Sequence, residues 1–96
     1  MADKDNLAST HDWLNAVSEE LGVSPDLTRK AVGPVLTMTA NVAHNGPSRP
    51  AAPTTAFVLG FAAGQKLGPV ETDEDSLAVV QELIGKIDAL LEHYGE

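Results

Sequence analysis

The chain contains no cysteine. That excludes disulfides, a thiolate nucleophile and any metal site built on sulfur. Aromatic residues are almost as scarce, being limited to Trp13, Phe57, Phe61 and Tyr94. A core built under that restriction has to come from aliphatic side chains, and Ala and Leu, the commonest of them, are strong helix formers. Positive charge is thin too: six Lys and Arg stand against fourteen Asp and Glu, for a net charge of −8. The bases (Lys4, Arg29, Lys30, Arg49, Lys66, Lys86) are scattered, with one adjacent pair. Nucleic-acid affinity draws mainly on Lys and Arg, so this balance excludes nucleic acid and anionic membrane as expected partners. The longest apolar run, Ala56 to Ala63, falls far short of the ~20 residues that span a bilayer. The opening Met-Ala-Asp-Lys-Asp lacks the basic and apolar regions of a secretory signal. Together these absences lead us to expect a soluble, acidic, cytoplasmic protein.

Ninety-six residues suit one domain. With 43% apolar residues there is material for one core, and a net stability of about 5–10 kcal/mol is expected at this size. Residues 1–9 are polar and read as a disordered N-terminal segment, leaving 10–95 as a single helical domain. From Thr10, Trp13, Leu14, Val17 and Leu21 recur at helical spacing, and Gly22 suits the turn that closes this helix. Ser24-Pro25 has the form of an N-cap with proline in the first helical position. The pattern then passes through Leu27, Ala31 and Val32 to Gly33-Pro34. There a second helix ends and a third starts, or one helix continues with a kink; both are compatible with the residues. Val35, Met38 and Val42, with Leu36 as a further candidate, form the next buried stripe, and Asn45-Gly46 stops it.

Three prolines within Gly46–Pro53 predict an extended, polyproline-like connection. Pro53 or Thr54 then opens a helix running to Leu67 and ended by Gly68-Pro69, with Thr54 the default N-cap. Phe57, Val58, Leu59, Phe61, Ala62 and Ala63 leave it apolar nearly all round, which predicts a helix buried on several sides. The final helix is the most regular. Leu77, Val80, Ile84, Ile87, Leu91 and Tyr94 alternate in steps of three and four, Leu83 and Leu90 widen the stripe, and Asp73, Glu74 and Asp75 suit its N-terminal dipole. Glu82 and Lys86 are placed for an i,i+4 ion pair, and Gly85 lies off the stripe. The expected fold is all-α: a compact bundle of four to five helices around a central apolar helix at about residues 54–67.

No catalytic constellation emerges. Glu71, Asp73, Asp75 and Glu82 match positions 1, 3, 5 and 12 of a calcium loop, but Ser76 stands where the sharp turn needs Gly, so helix capping explains them better. Gly60 and Gly64, followed by Lys66, have the wrong spacing for a phosphate loop and read as a small-residue face that admits a neighbouring helix. His11, His44 and His93 lack partners at metal-ligand spacing. We therefore expect no metal and no cofactor, and the residues lean against an enzyme without deciding the matter. The candidate binding residues are Arg49, Thr54, Thr55 and His44: an arginine in a proline-rich loop ahead of a helix N-terminus, where amides and hydroxyls can hold an anion.

Trp13-Leu14, Glu20-Leu21-Gly22, Val42-Ala43-His44-Asn45-Gly46 and above all Arg49-Pro50-Ala51-Ala52-Pro53, continuing to Gly64, resemble a small bacterial domain family of uncharacterised function. That family occurs alone or attached to a nucleotidyltransferase resembling the molybdenum cofactor guanylyltransferase. The resemblance covers roughly residues 10–68, and it differs at Thr37–Asn41, where the family carries charged residues. It implies an accessory role near molybdopterin guanine dinucleotide synthesis, with a molybdenum cofactor nucleotidyltransferase as partner, and it transfers no catalytic residue. A non-enzymatic accessory or interaction domain is thus the leading expectation. A small-anion or nucleotide binder using the Arg49 loop is the second, and a self-associating helical module or homo-oligomer the third.

Overall fold

The structure, a computed structural model, describes residues 2–67 and 72–94, and of residues 2–7 the backbone alone. The Gly68-Pro69 stop and Glu71 lie outside the described residues. Four helices follow one another: α1 (Ala2–Leu21), α2 (Pro25–Asn45), α3 (Ala51–Lys66) and α4 (Asp73–His93). The all-α expectation holds.

Each boundary has a local cause. Gly22 takes φ +75°, a conformation other residues reach only with strain. The amide of Gly22 reaches the Glu19 carbonyl at 3.4 Å and that of Val23 reaches Ser18 at 2.8 Å, so the last carbonyls of α1 are satisfied. Ser24 caps α2 by accepting from the Leu27 amide at 3.3 Å, and Pro25 follows at the helix start. Past Pro34, which can donate no amide to the preceding turn, the chain stays helical to Asn45. Residues 25–45 are therefore one helix, because the stripe Val32, Val35, Met38 and Val42 runs through the proline and is packed on both sides of it. Thr72 caps α4, accepting from the Asp75 amide at 3.1 Å.

Two boundaries differ from the sequence-based expectation. The helix α1 starts at Ala2, where the apolar pattern starts it at Thr10. Helix α3 starts at Ala51, three residues ahead of Thr54. Pro50 already has helical angles (φ −60°, ψ −18°), and Pro53 falls in the first turn, where a missing amide breaks no intrahelical bond. The extended connection is thereby reduced to a short turn before Ala51.

The larger correction concerns the centre. Met38 (1% exposed), Val42 and Leu59 form the innermost cluster, walled by Val35, Ala56, Val80, Leu83, Ile84 and Leu91 among others. Helix α2 packs against each of the other three, α3 touches α2 and α4, and α1 packs against α2 alone. The central helix is therefore α2. Helix α3 buries Leu59 and Ala63 on one side and leaves Phe57, Val58 and Phe61 at 69%, 61% and 59% exposure on the other. Its all-round apolarity reads as all-round burial only if enough neighbours exist. With extents of 41 × 40 × 18 Å, the molecule is a slab too thin to surround it. Among the described residues no helix is long and apolar enough to cross a membrane.

Polar bonds tie the edges to this core. Ser18, 4% exposed, lies 2.7 Å from both the Leu14 carbonyl and the Thr28 hydroxyl, joining α1 to α2. The Ser24 hydroxyl donates to Asp73 Oδ2 at 2.7 Å, joining the start of α2 to the start of α4. Glu82 meets Lys66 at 3.3 Å and Lys86 at 3.9 Å. The expected i,i+4 pair is present and extends to α3.

Two glycines give opposite predictions. A Cβ on Gly46 would lie 2.6 Å from the Val42 carbonyl oxygen and 3.2 Å from Leu91 Cδ2, so Gly46→Ala should destabilise by about 1–3 kcal/mol through overpacking. A Cβ on Gly85 meets nothing within 4 Å, so Gly85→Ala should stabilise by up to about 1 kcal/mol through helix propensity. Urea unfolding of the two variants beside wild type checks both signs.

Ser24→Ala removes a cap worth about 1 kcal/mol together with a bond to a charged carboxylate worth about 1.5–3 kcal/mol, whereas Thr72→Ala removes a cap alone. Ser24→Ala should cost the more stability. A double-mutant cycle with Asp73→Asn should return a favourable coupling, and zero coupling would show that the Ser24–Asp73 bond contributes nothing.

Candidate functional site

The four residues singled out for anion binding do not converge. His44 is exposed in the last turn of α2, and Arg49 is exposed in the turn between α2 and α3. Thr54 and Thr55 lie one turn into α3 and line a groove that neither His44 nor Arg49 reaches. The Thr54 hydroxyl bonds back to the carbonyls of Pro50 (3.1 Å) and Ala51 (3.0 Å), so Thr54 is a residue inside the first turn and not its cap. An anion at a helix start is held by free amides. Here the amide of Ala51 donates to Ser48 at 3.3 Å, that of Ala52 donates to Arg49 at 3.0 Å, and Pro53 has none. The amides that such a site would draw on at the start of α3 are already engaged.

The acidic start of α4 behaves as a cap region. Asp73 accepts from Ser24, and the Asp75 amide is held by Thr72. Gly60 and Gly64 admit no neighbouring helix: a Cβ on either would meet nothing within 4 Å, and both lie on the exposed side of α3. The small-residue face exists, but none of the described residues packs on it.

What the fold does assemble is apolar. A groove of about 490 Å³ runs between α3 and α4. Val58, Leu59 and Ala62 form one wall; Leu83, Ile87 and Leu90 form the other. Val42 and Leu91 also line it, Pro47 and Tyr94 contribute rings, and Lys86 is its one charged residue. Beside it, on the outward side of α3, the rings of Phe57 and Phe61 stack at a tilt with centroids 6.0 Å apart. A groove and an aromatic ridge thus share one helix. Periodicity concealed them, because Val58, Leu90 and Tyr94 look like core residues in the sequence. The available signal was aggregate: α3 carries more apolar residues than one flank can bury.

A second apolar area lies on α1, which has only α2 for a neighbour. Trp13 (67% exposed) and Leu21 (71% exposed) flank a shallow depression with Ala16, Val17 and Glu20. The stripe expected to be buried on α1 is split, with Leu14 and Val17 half-buried and Trp13 and Leu21 turned to solvent. Ser18 occupies the buried centre, which hydropathy alone does not foresee. Acidic Asp12, Glu19 and Glu20 surround this area.

Fold and surface together define a small all-α domain whose distinguishing chemistry is exposed apolar area. Residues 5–96 match the family described as a domain of unknown function, DUF6457, and the chain belongs to that family. The match continues through α4, beyond the span that carried the resemblance. No curated protein and no solved structure matches the chain.

The position of Thr54 within the helix is open to a direct check. A true N-cap loses about 1 kcal/mol on truncation to Ala, whereas a threonine inside a helix gains a few tenths from the better propensity of Ala. Thr54→Ala should therefore leave the thermal midpoint unchanged or raise it.

Proposed function

We propose that the chain is a non-enzymatic interaction domain acting in the cytoplasm, and that its partner is a nucleotidyltransferase of molybdenum cofactor synthesis. The observation carrying the interaction reading is the distribution of apolar residues. Among the described residues, five hydrophobic ones are buried (Val32, Met38, Val42, Leu59, Ala63), while nine large ones stand exposed, among them Trp13, Phe57, Phe61, Leu90 and Tyr94. Scattered exposed apolar residues are ordinary, but contiguous ones mark surfaces that meet other molecules. Polar residues that could perform chemistry are instead spent on the fold: Ser18, Ser24, Thr28, Thr72 and Asp73 all serve caps or helix-to-helix bonds. The choice of partner rests on the resemblance around Arg49–Pro53.

The α1 area suits a heterologous partner. Trp is the residue most enriched at energetic centres of interfaces, and the surrounding acids would steer a basic surface toward it. We therefore expect immobilised protein to retain the molybdenum cofactor guanylyltransferase from the same cell. Trp13→Ala should weaken that retention at least about thirtyfold, the loss expected of an interface hot spot, and raised salt should slow capture. Failure to retain the transferase with the folded wild-type chain would remove the proposed partner.

A further inference from the structure

We infer that the α3–α4 face is the contact surface for a second copy of this chain, with the Phe57–Phe61 ridge of each copy seated in the other's groove. This deepens the interaction reading by giving one of the two apolar areas its own occupant, and it leaves the α1 area free for a different protein.

Shape is the first argument. Ridge and groove are neighbours on α3: at about 100° per residue, Phe57 and Phe61 point to one side of Val58, and Ala62 and Thr55 point to the other. The groove is open, about 490 Å³, and lined by Val58, Ala62, Leu83, Ile87 and Leu90 on its two walls. A two-fold axis passing near Val58 brings each ridge opposite the other copy's groove. Such a pairing uses the same patch on both partners and closes on itself, as an isologous interface requires.

Area is the second. Phe57, Phe61 and Tyr94, at roughly 150–250 Å² per ring residue, are 69%, 59% and 63% exposed. Val58 and Leu90 are each 61% exposed. Together these five side chains offer on the order of 600 Å², before the groove floor is counted, against the roughly 800 Å² each partner contributes to a standard interface.

Charge is the third, and it selects the partner. Two copies with a net charge of −8 repel unless they meet through an uncharged surface. The whole of α3 carries one charged residue, Lys66, and that is held by Glu82 on the side facing α4. Lys86, the charged residue of the groove lining, lies 3.9 Å from the same carboxylate. A basic partner would gain little here, because Glu82, the acid beside the groove, already meets Lys66 and Lys86. A face whose charges are paired with one another is the surface through which another strongly acidic molecule can approach.

Sedimentation equilibrium of the whole chain over a broad concentration series tests this directly. The expected result is a reversible monomer–dimer equilibrium with no larger species. Phe61→Asp puts a carboxylate on the ridge without touching the core, and Leu90→Glu puts one on the wall of the groove. Each should weaken dimerisation at least about thirtyfold while the circular dichroism spectrum and the unfolding midpoint of the monomer stay unchanged. Trp13→Ala should leave the dimer intact. The inference is overturned by a monomer at every concentration, by open-ended oligomers, by a dimer indifferent to both Phe61→Asp and Leu90→Glu, or by a dimer that Trp13→Ala dissolves. Should either acidic variant unfold, Phe57→Ser, which removes ridge area without adding charge, carries the same expectation. Retention of the transferase through Trp13 is a separate reading, so the two proposals fail independently.

Discussion

The fold depends on burying Met38. It sits midway along α2, and among the described residues no other large side chain is so completely enclosed. That burial requires α3 to supply Leu59 from one side and α4 to supply its Val80–Leu91 stripe from the other. Filling such a site contributes several kcal/mol, a large fraction of what a chain this size has in reserve. Once α2 is gripped on both flanks, α3 and α4 are placed beside each other, and the Lys66–Glu82 pair follows from that placement. Helix α1 is the exception. It joins through α2 alone, and the bonds among Ser18, Thr28, Leu14 and Ser24 fix its position where apolar contact is sparse.

This arrangement explains the surface. Four helices in a slab 18 Å thick have few places where a residue can be enclosed on every side. Each outer helix therefore buries one stripe and shows another. On α4 the exposed stripe is mostly charged or small, as in Glu82, Gly85 and Glu92. On α3 it is not: Pro53, Phe57, Gly60, Phe61 and Gly64 turn outward, with no charge among them. A helix needed only for the core would carry solvent-compatible residues there at no cost to packing. Their absence is what separates α3 from an ordinary outer helix.

Much of the architecture was legible in the sequence, and the reasons are local. The Gly22 turn, the Ser24-Pro25 start, the Asn45-Gly46 stop, the acidic opening of α4 and the Glu82–Lys86 pair each depend on neighbours within about one helical turn, where residue chemistry decides the outcome. The position of α3 was not legible. Apolarity around a helix reports a preference for burial, while the number of available neighbours is a property of the whole fold. The same limit applied to Trp13 and Leu21, which follow a helical period yet face solvent because α1 has one neighbour. Ser18 failed in the opposite direction: a hydroxyl that can bond to its own helix and to Thr28 tolerates burial, and that partner lies across a turn the sequence does not fold for the reader.

The candidate site shows how these two kinds of error combine. Arg49, Thr54, Thr55 and His44 are close in the chain and have functional groups suited to an anion. Helix α3 starting at Ala51 turns Thr54 and Thr55 toward α4, and its first amides are consumed by Ser48 and Arg49 carbonyls. Proximity in sequence therefore gave no shared cavity. The residues that do share one, Val58, Ala62, Leu83 and Leu90, come from two helices and have no reactive group to draw attention to them. A surface of this kind is recognisable only by subtraction, as the apolar area left after the core has taken its share.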